Sequence, residues 1–354
     1  MNEKKQLTDY TKPTMTSTKT SVNRTLIPKG LIVTQHELHT LEHYIHKTVL
    51  PRLGRAGSSL HLEPTTLGNR NRIFFLTVGT DHQLVLKGFA SKTRLHNSLI
   101  ANRFLARYGI AAPRILFADA SEKTRARLGW YVSCEEKIDG TPVEETRCDS
   151  SMRTAIAAFF ARLHSLRSSR WGSLRSPQCF GFRTYLMRKI RERVHSLTAS
   201  GTQFPGCDPR TIVHWFESNC GAIKAVSEFS LCHGDVNTRN ILVTHDNRVV
   251  IIDTEALKYL PFPIEYFRLL FFLCQDDAHA QQEFSRCYFE NTPHTRYKEF
   301  VRCKEFYQAF VLLEFAWYFN KKIKQNPAPD RIAKQRYHFY KEMALNRLLS
   351  TVSA

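Results

Sequence analysis

The segment "LCHGDVNTRNIL" (Leu231–Leu242) is the most informative stretch of this 354-residue chain. It places His233, Gly234, Asp235 and Asn240 in one short polar loop between two apolar runs. Aspartate and asparagine often cap turns, so a purely structural loop is the simplest interpretation. A functional interpretation requires further polar groups nearby, and the sequence supplies one.

That further group is Asp253, which directly follows the apolar run of "VVIIDTE". The runs "NILVTHD" and "RVVIIDT" predict a hairpin with its turn at Asp246-Asn247. Phosphoryl transfer requires a carboxylate that accepts the proton of the attacking hydroxyl, and oxygen ligands that hold Mg²⁺ on the nucleotide phosphates. Asp235 suits the base, and Asn240 and Asp253 suit the metal ligands. The D-x-x-x-x-N spacing equals that of the kinase catalytic loop.

Together, the motifs "HGDVNTRN" and "IIDTE" resemble the signature of the aminoglycoside phosphotransferase and choline kinase superfamily. These are small-molecule kinases with a protein-kinase-like fold. Other segments follow in the family's order: "LGNRNRIFFLTV" resembles its phosphate-covering loop and first hairpin, and "SCEEKIDGTPV" its inter-lobe hinge. The resemblance covers about residues 60 to 275. It implies ATP or GTP as the phosphoryl donor and Mg²⁺ as the metal.

The resemblance also assigns roles in a nucleotide site. Lys87 in "LVLK" matches the lysine that binds the nucleotide phosphates. His233 and His164 are expected to be structural. The remaining positions are those of the phosphate-covering loop, Gly68, Asn69 and Asn71, and those of the hinge, Cys134, Glu135 and Glu136, whose backbone groups are expected to bind a purine ring.

Two positions depart from the family pattern. Family members usually pair the strand lysine with a glutamate of the following helix, yet no acidic residue lies between Lys87 and Asp119. Asn97 or Asn102 could accept from the ammonium instead, and Asn97 is favoured because it lies closer to the start of the helix. The family also has an aspartate about a dozen residues after the metal aspartate. Glu265 is the nearest candidate here. The role of Glu255, as an extra metal ligand or a structural anion, stays open.

Hydrophobic periodicity along the chain predicts an α+β protein with two lobes. Residues 1–29 are rich in Thr, Ser and Lys and are expected to be a disordered tail. Residues 30–137 are expected to form a small β-rich N-lobe, the nucleotide-covering sheet and one helix. Residues 138–354 are expected to form a helical C-lobe with the catalytic loop and the acceptor pocket. Ligands commonly bind in the cleft between such lobes.

Composition limits the remaining possibilities. The formal net charge of +19 favours anionic partners, which include acidic acceptors and anionic membrane surfaces. Nine cysteines without a C-x-x-C pair, and no apolar segment long enough to span a bilayer, predict reduced thiols in a cytoplasmic protein. His214 and Cys220 are close in sequence, but such a lone pair is more often structural than zinc-binding.

Three hypotheses follow from these observations. The leading one is an ATP-dependent phosphotransferase that acts on a hydroxyl of a small molecule, such as a sugar, an amino alcohol or an aminoglycoside-like acceptor. The second is a nucleotide-binding pseudokinase that acts through protein partners, which the missing helix glutamate supports and the intact Asp235, Asn240 and Asp253 oppose. The third is a nucleic-acid-binding protein, for which the sequence shows a basic charge but no recognised module.

Overall fold

The N-terminal part of the chain folds around an antiparallel sheet. The computed structural model describes residues 34–65, 71–145, 148–179, 181–225, 228–325 and 331–353, so the predicted loop residues Gly68 and Asn69 lie outside the described residues. Among the described N-terminal residues the strands are β1 (Leu60–Thr65), β2 (Asn71–Val78), β3 (His82–Phe89), β4 (Ile115–Asp119) and β5 (Tyr131–Glu136). They form one sheet in the order β1-β2-β3-β5-β4.

Helices cover this sheet, and a capping box defines the start of the first one. The Thr34 hydroxyl accepts from the N–H of Glu37, whose carboxylate accepts from the N–H of Thr34, and this reciprocal cap fixes the helix start. The apolar face then packs Leu41 and Ile45 against the sheet. The helices are α1 (Gln35–Tyr44), which continues through a π turn into α2 (Leu50–Arg52), α3 (Lys92–Arg107) and α4 (Glu122–Leu128).

The C-terminal part is mostly helical, as predicted. Its described helices are α5 (Ser150–Ser165), α6 (Phe182–Ala199), α7 (Pro209–Ser218), α8 (Phe262–Leu273), α9 (Ala278–Glu290), α10 (His294–Gln325) and α11 (Arg331–Val352). Buried aromatic side chains of α8, α9 and α10 dominate their shared core. Five of the nine cysteines are buried, and all nine are free thiols. None of the helices within the described ranges is both long and apolar enough to cross a bilayer.

Two small sheets position the polar loop on this helical base. Their strands are β6 (Gly140–Pro142), β7 (Arg167–Ser168), β8 (Gly172–Ser173), β9 (Phe229–Cys232), β10 (Ile241–Thr244), β11 (Val249–Ile251) and β12 (Lys258–Leu260). One sheet has the order β11-β10-β6 and the other the order β7-β9-β12-β8. Because β9 belongs to one sheet and β10 to the other, the loop that joins them spans both.

Candidate active site

The loop between β9 and β10 carries the predicted base. Asp235 is exposed, whereas its neighbours His233 and Asn240 are buried. The Asn240 side chain donates its Nδ2–H to the Asp235 carbonyl at 2.9 Å, which closes the D-x-x-x-x-N turn. Because the amide nitrogen is engaged in this way, the amide oxygen is the remaining polar atom of the Asn240 side chain, and it is an acceptor.

Asp253 lies at the same end of the predicted hairpin as Asn240. In β10 and β11, Ile241 pairs with Ile251, and the N–H of Ile252 donates to the Asn240 carbonyl at 3.0 Å. His233 braces the junction, since its Nε2 lies 2.8 Å from the Ile252 carbonyl oxygen. Asp253 has left-handed backbone with φ of 58°, a conformation that is rare outside glycine and that concentrates at functional sites.

Lys87 connects the sheet to Asp253. Its Nζ lies 2.6 Å from Glu135 Oε1 and 2.9 Å from Asp253 Oδ1. Burial opposes the ammonium charge, but the two carboxylates outweigh it and raise the pKa of Lys87. Attraction by Lys87 in turn lowers the pKa of Asp253. Lys87 therefore stays a cation in the cleft beside the predicted metal ligand.

The expected asparagine partner of Lys87 is replaced by a strand carboxylate. Lys87 pairs across the sheet with Ser133, so Glu135, two residues further along β5, lies on the same face and reaches the ammonium. Asn102 instead donates to the Pro113 carbonyl and accepts from the N–H of Ile115. Within residues 71–145, no hydrogen bond joins half-buried Asn97 to Lys87, so the expectation for an amide partner is wrong.

The predicted hinge residues lie inside the sheet. The thiol of Cys134 is buried, and burial raises its pKa to about 12. The N–H of Glu136 donates to the Arg114 carbonyl at 3.0 Å, so this group is not available to a purine ring as expected. The side chain of Glu135, by contrast, forms the ion pair with Lys87. Sequence reasoning missed that role, although an acid one residue before the end of a strand next to the lysine strand is a usable signal.

Glu255 links the two parts of the chain. Its carboxylate accepts from the Asn71 amide at 3.0 Å and forms an ion pair with Arg94 of α3. Asn71 was expected to cover phosphates, and the structure engages its Nδ2 with Glu255 instead. Helix α3, which lacks the family's glutamate, therefore contributes a cation, Arg94. The carboxylate that pairs with it is Glu255, two residues after Asp253.

Glu265 anchors the loop from below. Its two carboxylate oxygens accept the N–H groups of His233 and Gly234 at 2.8 and 2.9 Å, and His164 Nε2 lies 3.1 Å away. Burial would raise the pKa of Glu265, but hydrogen bonds from His164 and the backbone outweigh it and lower the pKa. Burial lowers the pKa of His164, so the imidazole stays neutral and donates from Nε2.

Cys232 joins His164 and Glu265 in a buried group whose ligand atoms lie within 4.8 Å of one another. Burial raises the pKa of the Cys232 thiol well above its usual range, so it stays protonated, and a thiol is a poor metal ligand. The Glu265 oxygens are also committed to the loop amides. The group is therefore a structural cluster.

Comparison with known proteins agrees with this geometry. A model of the phosphotransferase enzyme family (APH) matches residues 61–300. The aminoglycoside phosphotransferase APH(4)-Ia is similar with a TM-score of 0.58 at 13% identity, covering 89% of this chain and 98% of that one. A choline/ethanolamine kinase family protein from Mesorhizobium loti has a TM-score of 0.56 at 20% identity, covering 88% and 98%. An ethanolamine kinase from Plasmodium vivax has a TM-score of 0.58 at 13% identity, covering 90% and 89%. No curated protein sequence matches the chain.

Fold and loop together define a kinase-like phosphotransferase. The chain belongs to the phosphotransferase enzyme family, because the family model covers more than half of its length. The predictions of the family, of the two-lobed kinase-like fold and of a phosphotransferase are confirmed.

Proposed function

We propose that this protein transfers the γ-phosphoryl group of ATP or GTP to a hydroxyl group of a small molecule. The proposal rests on one observation. Asp235, Asn240 and Asp253 lie near the same end of one hairpin, and Lys87 forms an ion pair with Asp253. A base, two oxygen ligands and a phosphate-binding cation are the side chains that this reaction requires.

Each side chain has one task in the proposed reaction. Asp235 accepts the proton of the acceptor hydroxyl. The hydroxyl oxygen forms a bond to the γ-phosphorus while the bond between the γ-phosphorus and the β–γ bridging oxygen breaks. Lys87 binds phosphate oxygens of the nucleotide. Glu135 holds the Lys87 ammonium in place, since its carboxylate lies 2.6 Å from Nζ.

The donor set suits Mg²⁺. This ion prefers carboxylate and amide oxygens and keeps contact with nucleotide phosphates, and the Asp253 carboxylate and the Asn240 amide oxygen are such ligands. When bound, the ion neutralises charge on the transferring phosphoryl group. The N–H of Ile252 and the side chain of His233 keep the two ligand residues in register.

A phosphate-transfer screen tests the proposal. ATP and GTP would be offered with sugars, amino alcohols and aminoglycosides, and phosphorylated product measured. Asp235→Asn is expected to lower turnover by roughly 10²–10⁴-fold with little change in nucleotide affinity. Asp246→Asn, at the exposed hairpin turn, is the matched control and should leave turnover unchanged. Full activity of Asp235→Asn would exclude the base.

The pseudokinase alternative loses its main support. That support was the absence of a carboxylate partner for Lys87, and Glu135 supplies one at 2.6 Å. The cytoplasmic location, a contact with membrane surfaces and the absence of a nucleic-acid partner stay predictions from the sequence. Salt-dependent retention on DNA, with no phosphate transfer, would favour a nucleic-acid-binding protein instead.

A further inference from the structure

Two cations lie beside the predicted base, and within the described part of the chain neither forms an ion pair with a carboxylate. Lys258 of β12 crosses the loop at Gly234, because a methyl group added to Gly234 would overlap the Lys258 side chain at Cε. Arg268 of α8 reaches the same residue, with its guanidinium 3.5 Å from the Gly234 carbonyl oxygen. Both cations therefore contact the residue that precedes Asp235.

Carboxylates neutralise several partly buried arginines of this protein, whereas buried Arg296 bonds to the His164 carbonyl and the Ser230 hydroxyl instead. Three partly buried arginines form ion pairs with Glu255, Glu283 and Glu314: Arg94, Arg153 and Arg193. In the described ranges, neither Lys258 nor Arg268 forms an ion pair within 4.0 Å, and Arg268 Nε is buried without a hydrogen-bond partner. A charge removed from water without a partner costs free energy.

The local charges make this arrangement unfavourable without a ligand. Burial lowers the pKa of Lys258, and repulsion by Arg268 lowers it further. Asp235 and Glu265 attract the Lys258 ammonium, but the Glu265 oxygens already bind the amides of His233 and Gly234. An anion beside Asp235 would relieve the repulsion between the two cations.

We propose that Lys258 and Arg268 form an anion subsite for the acceptor, so that the acceptor is an alcohol that also carries a phosphate or carboxylate group. This inference rests on the proposed function. The two cations hold the anionic group while Asp235 faces the hydroxyl. An ammonium-bearing acceptor would meet two like charges at the same place.

The first test compares acceptors that differ only in charge. One set is glycerol, glycerol 3-phosphate, glycerate and 3-amino-1,2-propanediol, and a second is glucose, glucose 6-phosphate, glucuronate and glucosamine. The anionic members are expected to have the higher kcat/KM, and the phosphate and carboxylate members identify which group the subsite prefers. Equal or better use of the neutral and amino members would overturn the inference while leaving the proposed function intact.

The second test measures binding without turnover, so it does not depend on the choice of acceptor. Inorganic phosphate and malonate are titrated at constant ionic strength into protein saturated with Mg²⁺ and a non-hydrolysable ATP analogue. Lys258→Met keeps the aliphatic contact with Gly234, and Arg268→Gln keeps a polar group. Each is expected to weaken binding of the preferred anion by roughly 10- to 100-fold, as expected for a charged hydrogen bond.

The controls are Arg302→Gln and Lys304→Met, which make the same substitutions at exposed positions of α10. Both control variants should bind the two anions like the wild type. Wild-type anion affinity in Lys258→Met and Arg268→Gln overturns the inference. So does weaker binding of the ATP analogue with unchanged anion binding, because the cations would then serve the donor. Intact anion binding without any phosphate transfer would count against the proposed function alone.

Discussion

Lys87 of β3 and Glu135 of β5 form a buried ion pair with 2.6 Å between Nζ and Oε1. Both side chains are less than a tenth exposed. The pair lies within the sheet, so its geometry is fixed by strand register and does not depend on how a helix packs against the sheet. The register between β3 and β5 therefore positions the Lys87 ammonium beside the Glu135 carboxylate.

The first prediction concerns this pair. Glu135→Gln should weaken MgATP binding by roughly tenfold, because the ion pair that orients the Lys87 ammonium is reduced to a hydrogen bond to an uncharged amide. Glu136→Gln is the neighbouring control: its pair with Arg114 is exposed and it should bind MgATP like the wild type. Affinity would be measured by calorimetry with a non-hydrolysable analogue.

The asparagine hypothesis is tested in the same background. In Glu135→Gln, adding Asn97→Glu should not restore MgATP affinity, since the described contacts of Lys87 are with the strand and with Asp253. Full recovery of affinity would mean that the helix can supply the carboxylate after all.

Local sequence patterns predicted the parts of the site that depend on neighbouring residues. The hairpin of β10 and β11, with its turn at Asn247, follows from strand periodicity and a turn-forming residue that tolerates positive φ. The D-x-x-x-x-N spacing places Asp235 and Asn240 in one loop, where the Asn240 amide donates to the Asp235 carbonyl. These features need no knowledge of distant packing.

The missed features depend on residues far apart in sequence. The partner of Lys87 is set by the register between two strands, and Glu135 is 48 positions away. Glu265 was the candidate for the family's downstream aspartate, but its bond to the loop could not be predicted, because it arises where α8 begins beneath the loop. Strand β1 was not predicted because its sequence, "LHLEPT", contains a proline and polar residues at positions that the edge of a sheet leaves exposed.

The second prediction concerns the metal ligand Asp253. Asp253→Ala should abolish the extra thermal stabilisation that Mg²⁺ adds to bound ATP, because one of the two proposed ligands is removed. Stabilisation by ATP without Mg²⁺ should persist, since Lys87 remains. Asp246→Ala is the control at the exposed turn of the same hairpin. Unchanged Mg²⁺-dependent stabilisation in Asp253→Ala would contradict the assignment.

The third prediction compares two glycines with the same backbone conformation. Gly234 has φ of 81° and Gly129 has φ of 83°, but a methyl group on Gly234 would overlap the Ala256 carbonyl, whereas Gly129 has open space. Gly129→Ala should cost only the left-handed strain of about 1–2 kcal/mol. Gly234→Ala should cost about 1–3 kcal/mol more from overlap and should also reduce turnover, since Asp235 is displaced.

Urea unfolding gives both free energies, and turnover is measured in parallel. Equal destabilisation by the two substitutions, with activity retained in Gly234→Ala, would show that the close approach of Ala256 does not position the loop.

The last prediction concerns the pH dependence of the Glu265 anchor. Hydrogen bonds from His164 and the backbone hold the pKa of Glu265 below its ordinary value of 4.5 in spite of burial. A carboxyl whose pKa is lower in the folded state stabilises the fold above its unfolded pKa. That contribution is lost as the pH falls through the folded pKa.

In Glu265→Gln, one backbone N–H of the loop faces the side-chain NH2 group, which is a second donor and no acceptor. The variant should therefore be about 2–4 kcal/mol less stable than the wild type near pH 7. The difference should shrink below about pH 4.5, because the carboxyl takes up a proton in the unfolded chain there while the folded carboxylate stays ionised until the pH reaches its lower pKa. Urea unfolding of both proteins from pH 7 to pH 3.5 measures it, with exposed Glu305→Gln as a control that should show no such change. A difference that stays constant over this range would mean that Glu265 does not anchor the loop as a carboxylate.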